Sequence, residues 1–120
     1  MSARKIEKNE WHGFFDYLSK VLVGARTEIH VESLALGDQV EAEWLPLLGM
    51  VYDDKNEMVE IALEGLDHMI RRPGEIYVDE GNGAIVSLQI IDGDGNQQIV
   101  LLREPLMLPP PKATQTSAAS

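Results

Sequence analysis

Seven consecutive residues near the middle of the chain, Asp67-His68-Met69-Ile70-Arg71-Arg72-Pro73, gather the densest set of groups able to do chemistry. An adjacent aspartate and histidine suit acid–base work, and paired arginines suit the grip of a carboxylate or phosphate. Asp67, His68, Arg71 and Arg72 are therefore the candidate ligand-binding set. A structural reading competes with it and is preferred. Asp67 would cap a helical turn, Met69 and Ile70 would anchor the segment, and the arginines would pair with acidic strands.

A second constellation is Glu28, His30 and Glu32 on one strand face, with Glu41 and Glu43 on the returning strand. It is a candidate interaction surface. Glu28, His30 and Glu32 could hold a cation, but a solvated acidic strand face, which also discourages edge-to-edge aggregation, is the preferred account. Asp92-Gly93-Asp94-Gly95-Asn96 resembles the opening of a calcium loop, yet its sixth position is Gln97 where Gly is needed and its twelfth is Arg103 where a bidentate Glu is needed. A Gly/Asp/Asn hairpin turn accounts for it.

His12, His30 and His68 lack the i, i+4 spacing of zinc ligands, and the chain has no cysteine. There is no GxSxG elbow and no glycine-rich phosphate loop. The expectation is no catalytic residue, no metal, no cofactor and no enzyme.

These groups must be positioned by a chain of 120 residues, enough for one domain and an appendage. Ten Lys+Arg against 20 Asp+Glu give a net charge of −10, which disfavours nucleic acid. The charge is uneven. Residues 27–70 contain 11 acids and only Lys55, whereas residues 1–26 carry five basic and three acidic side chains. No stretch has the ~20 apolar residues of a membrane span. The N-terminal basic residues precede no apolar run, so no signal peptide is read and a cytoplasmic location is expected.

Trp11, Phe14, Phe15, Leu18, Val21 and Leu22 recur every three or four residues, predicting an amphipathic helix over about 9–23 with Asn9 as N-cap and Gly24 as its close. Periodicity then becomes two. Strands are expected at 28–32, 40–44, 47–52, 59–63, 75–79, 84–92 and 97–104, with turns at Gly37-Asp38, Asp53–Asn56 and Glu80–Gly83. Pro46 should break one ladder. Residues 65–74 fit neither period and read as a loop. The last two strands are apolar enough to be central and covered on both sides.

The fold class is thus α+β: an N-terminal amphipathic helix packed on an antiparallel meander of six to seven short strands, either open and strongly curved or barrel-like. Residues 1–8 read as a flexible lead-in, 9–105 as the domain, and 106–120 as a disordered Pro-rich tail.

Glu10-Trp11, Phe14-Phe15, the run Glu41–Gly49, Asp67-His68, Ile70, Pro73, Glu75–Asp79 and Ile91–Gly95 occur in an order that resembles a family of small bacterial proteins known only as a domain of unknown function. The likeness covers about residues 9–105 and implies no activity or ligand. The element order is also similar to that of Sm-like RNA-binding barrels, an analogy that the acidity opposes. The functional expectation is a non-enzymatic interaction or regulatory module, bound to an unknown protein partner or to itself. The alternatives are an anion or small-molecule site at 67–73 and an Sm-like RNA barrel.

Overall fold

The computed structural model describes residues 2–33, 37–81 and 84–103. The expected tail at 106–120 and the tip of the 80–83 turn lie outside them in whole or in part. Strand β1 (Ser2–Ile6) leads through a short 3₁₀ turn (Lys8–Glu10) into α1 (Trp11–Val21). Seven more strands follow: β2 (Arg26–Ser33), β3 (Gly37–Asp53), β4 (Met58–Leu63), β5 (Leu66–Arg71), β6 (Glu75–Gly81), β7 (Ala84–Ile91) and β8 (Gln97–Arg103). They form one antiparallel sheet in the order β1-β6-β7-β8-β2-β3-β4-β5.

Residues 2–6, read as a flexible lead-in, form a strand because Ile6 is buried and the segment pairs with β6 from Ser2↔Glu80 to Ile6↔Ile76. Asn9 caps nothing; it sits inside the 3₁₀ turn, where the Glu10 carboxylate reaches back to accept the Glu7 N–H at 3.3 Å. Residues 66–71, read as loop, are β5. Here Glu64-Gly65 makes a two-residue turn with Gly65 at φ +85°, a conformation that glycine adopts without Cβ strain, and Leu66 returns opposite Leu63.

The sheet has eight strands among the described residues, above the six to seven expected, and it is not a closed barrel. β1 and β5 share no ladder. The sheet is instead bent along β3, whose first half pairs with β2 and whose second half pairs with β4. Register shifts interrupt the β2–β3 ladder on both sides of Ile29, and Trp44 has a φ of +53°. Such bulges bend and twist a strand. Pro46 does not break the strand, because it stands where β3 changes partners. Its carbonyl accepts the Glu64 N–H at 2.9 Å, while the neighbouring Leu47 N–H reaches Ala25 at 2.9 Å.

The bend turns the inner faces of the two halves toward each other. Ile29, Val78, Leu88, Ile90 and Val100 from one half meet Leu47, Val59, Ile61, Leu63 and Ile70 from the other in one buried core. Helix α1 adds Trp11, Phe15 and Leu18. Each such large side chain contributes about 1.5–3 kcal/mol on leaving water. Two features hold the helix. Trp11 Nε1 donates to the Ile6 carbonyl at 2.9 Å, and the Trp11 ring stands edge-on to Tyr52 with centroids 5.2 Å apart. Ser19 Oγ donates to the Met50 carbonyl at 2.5 Å and accepts the Met50 N–H at 2.7 Å, pinning α1 to β3.

β7 and β8 are central, as expected. Their cover is unequal: Leu88, Ile90, Gln98 and Val100 are buried on the inner face, whereas Ile91, Ile99 and Leu101 on the other are only half-buried.

Candidate interaction face and the 67–73 segment

Strand geometry separates the 67–73 candidates. Successive side chains alternate, so Asp67, Met69 and Arg71 point away from the core while His68 and Ile70 point into it. His68 Nε2 lies 2.6 Å from Gln98 Oε1, and Gln98 Nε2 donates to Asp92 Oδ2 at 2.9 Å. The other oxygen of Asp92 accepts the N–H groups of Asp94 and Asn96, both at 2.9 Å. The calcium-like residues are therefore engaged in closing their own hairpin turn. Among the described residues, no group of three or more His, Asp or Glu could hold a metal ion.

Arg72 has left β5 altogether. Its φ is +50°, its N–H reaches the Glu57 carbonyl at 2.7 Å, and its guanidinium donates to Asp94 Oδ1 at 2.9 Å. Arg71 remains on the outer face with no ion pair among the described residues. The four residues proposed as one ligand set thus point in three directions: outward from β5, inward to β8 and across to the β7–β8 turn. The bond Arg72–Asp94 matches the structural reading of arginines paired with acids, although with a hairpin turn and not with an acidic strand.

The second constellation divides differently. Glu28, His30 and Glu32 share the outer face of β2, beside Leu101, Ile99 and Gln97 of β8. His30 is bracketed: its Nε2 lies 3.0 Å from Glu28 Oε1 and its Nδ1 lies 3.5 Å from Asp38 Oδ1. The hydrogen bond to Glu28 raises the His30 pKa above the usual histidine value. Desolvation opposes this, and the negative charge of Asp38 adds to it. Glu41 and Glu43 lie on the exposed, bulged half of β3, on either side of buried Ala42, which pairs with Ile29.

The registers extend the face across four strands. Rows run Asp79–Ser87–Leu101–Glu28, Tyr77–Gln89–Ile99–His30 and Glu75–Ile91–Gln97–Glu32. Half-buried Ile91, Ile99 and Leu101 stand with Ser87, Gln89 and Gln97 on the two middle strands, Tyr77 lies between Glu75 and Asp79 on β6, and Glu28 and Glu32 flank His30 on β2. Lys5 of the adjoining β1 pairs with Glu75 at 3.9 Å. A shallow hollow of about 140 Å³ opens between Ala3, Tyr77, Val78, Asp79 and Gln89. Only Glu28, His30 and Glu32 of this face stood out in the sequence. Tyr77, Ile99 and Leu101 carry no signal of their own, because their role depends on which strands lie side by side.

Fold and site define a small α+β protein: a single bent antiparallel sheet, one helix on its inner side, and an acidic-rimmed outer face. Residues 2–111 match a family of unknown function, DUF5335, and the chain belongs to that family. It is similar to an uncharacterized protein of Aquifex aeolicus (strain VF5), with 39% identity over 110 residues that span 91% of this chain and 99% of the relative. No solved structure matches the chain. Among the described residues, no helix is long and apolar enough to cross a membrane.

Proposed function

We propose that the protein is a cytoplasmic, non-enzymatic interaction module. On this reading the outer face of β6-β7-β8-β2 docks a protein partner with basic and apolar side chains. One observation carries the reading: Ile91, Ile99 and Leu101 stand among Ser87, Gln89 and Gln97 on the middle strands of a sheet face opposite the core, with Tyr77, Glu75 and Asp79 on one side and Glu28 and Glu32 on the other. An apolar middle with a polar rim is the general anatomy of a docking surface. The carboxylates supply selection, since opposite charge speeds encounter and like charge rejects wrong partners. The Asp79 side of the shallow hollow suits a lysine or arginine side chain lying along Tyr77.

Exchange of Glu28 and Glu32 for lysine tests the proposal. Partner binding should fall by at least about tenfold in a variant that circular dichroism shows to be folded. Undiminished binding would remove the acidic face from the account.

A further inference from the structure

Among the described residues, the outer edge of strand β5 is open at Asp67 and Met69 and is met by the β7–β8 turn at the Arg71 carbonyl. The two-residue turn closes on the pair Leu63↔Leu66, so Leu66, His68 and Ile70 direct their N–H and C=O groups toward β4. Asp67, Met69 and Arg71 direct theirs the other way. Two bonds agree with this parity: the Arg72 N–H turns inward to Glu57, and the Arg71 carbonyl accepts the Gly93 N–H at 3.2 Å, away from β4. No described strand pairs with the outward groups of Asp67 and Met69.

The other free edges are defended in the usual ways. The free half of β3 has bulges, Glu41, Glu43 and Pro46, and β1 carries Arg4 and Lys5. β5 has no proline, lysine or bulge over Leu66–Arg71, and Met69 is 41% exposed at its centre. Asp67 and Arg71 flank Met69 on the same outward face, two residues to either side. Neither side chain has a partner among the described residues.

We propose that β5 pairs antiparallel with β5 of a second copy of this chain, about a two-fold axis at Met69. That register sets Asp67 of each copy across from Arg71 of the other, giving two ion pairs, and packs Met69 on Met69. The interface is self-complementary, as a two-fold dimer requires. Met69 exchanges two backbone bonds with its counterpart. The Arg71 carbonyl stays with Gly93. A contact this short buries less surface than a standard stable interface, so the dimer is weak and concentration-dependent.

Sedimentation velocity over a concentration series up to about 1 mM tests it. The full chain should rise from 13.3 kDa toward twice that mass. Arg71→Asp or Asp67→Arg alone places like charges opposite each other twice and should weaken the dimer by at least about tenfold. The double exchange Asp67→Arg/Arg71→Asp should restore it to within a few-fold of the original. Met69→Pro removes the central donor and should abolish it. Unfolding midpoints of the charge variants confirm that each is folded. A chain that stays monomeric throughout, or a dimer that ignores the single reversals, overturns the proposal. The docking reading of β6-β7-β8-β2 uses other residues and is unaffected by either result.

Discussion

His68 Nε2 and Gln98 Oε1, 30 residues apart in the chain, lie 2.6 Å apart and join the inner faces of the two sheet halves. The bond also fixes a proton. The Asp92 carboxylate can only accept, so the Gln98 amide must turn its NH₂ toward it and offer its oxygen to His68. His68 therefore carries hydrogen on Nε2. Nitrogen-15 correlation spectra of the neutral ring should show the Nε2–H tautomer, and an Nδ1–H signal would contradict the network.

Gln98 is only 6% exposed, and both of its side-chain bonds cross between elements. Gln98→Leu leaves polar groups of His68 and Asp92 without their partner. Urea denaturation should show a loss of about 1–3 kcal/mol.

Gly93 is required by Arg72. A Cβ added at Gly93 would lie 2.6 Å from Arg72 Cβ and 2.7 Å from Arg72 Cζ. Gly93→Ala should destabilise the fold by about 1–3 kcal/mol, the usual cost of overpacking. Arg72→Gly clears the space and suits the positive φ of that position. In that background Gly93→Ala should cost much less, a non-additivity that a double-mutant cycle measures directly.

Loss of the Ser19 hydroxyl separates helix from sheet. Ser19→Ala deletes both bonds to the Met50 backbone and should cost about 1–3 kcal/mol, measured by thermal or urea unfolding. Ser19→Thr, which keeps a hydroxyl, should recover part of the loss.

These contacts show which parts of the molecule were legible in the sequence. The helix, the alternation of β2 and the turn at Asp53 were readable because each is a local pattern; Asp53 Oδ1, for instance, accepts the N–H groups of Lys55 and Asn56 within its own turn. β5 was not readable. Its exposed edge lets Met69 face outward and half-buried His68 face inward, so hydrophobic periodicity misreports the strand. The 67–73 residues looked like one site because they are adjacent, and the strand pleat then sent neighbours to opposite faces. Bonds such as His68–Gln98 and Arg72–Asp94 depend on the bend of β3, a long-range property with no local signature.

His30 makes stability depend on pH. Its pKa is raised in the folded chain, so its contribution is complete below the unfolded value of about 6.5 and is lost as pH rises through the folded value. The proton-binding curve of the His30 ring, followed by NMR, should have its midpoint above that reference. Glu28→Gln removes the leading cause and should lower the midpoint. As pH rises above about 6.5, stability of the original chain should decline more steeply than that of Glu28→Gln.

The central claim is that the outer face of β6-β7-β8-β2 docks a protein partner. Its most direct test places a photo-crosslinking amino acid at Ile99, in the middle of that face, and at Lys20 on the helix as a control, in cells that make the protein natively. The account predicts a discrete adduct from position 99, none from position 20, and loss of the adduct when Glu28 and Glu32 are lysine. No adduct at position 99, or an adduct indifferent to those carboxylates, would contradict it.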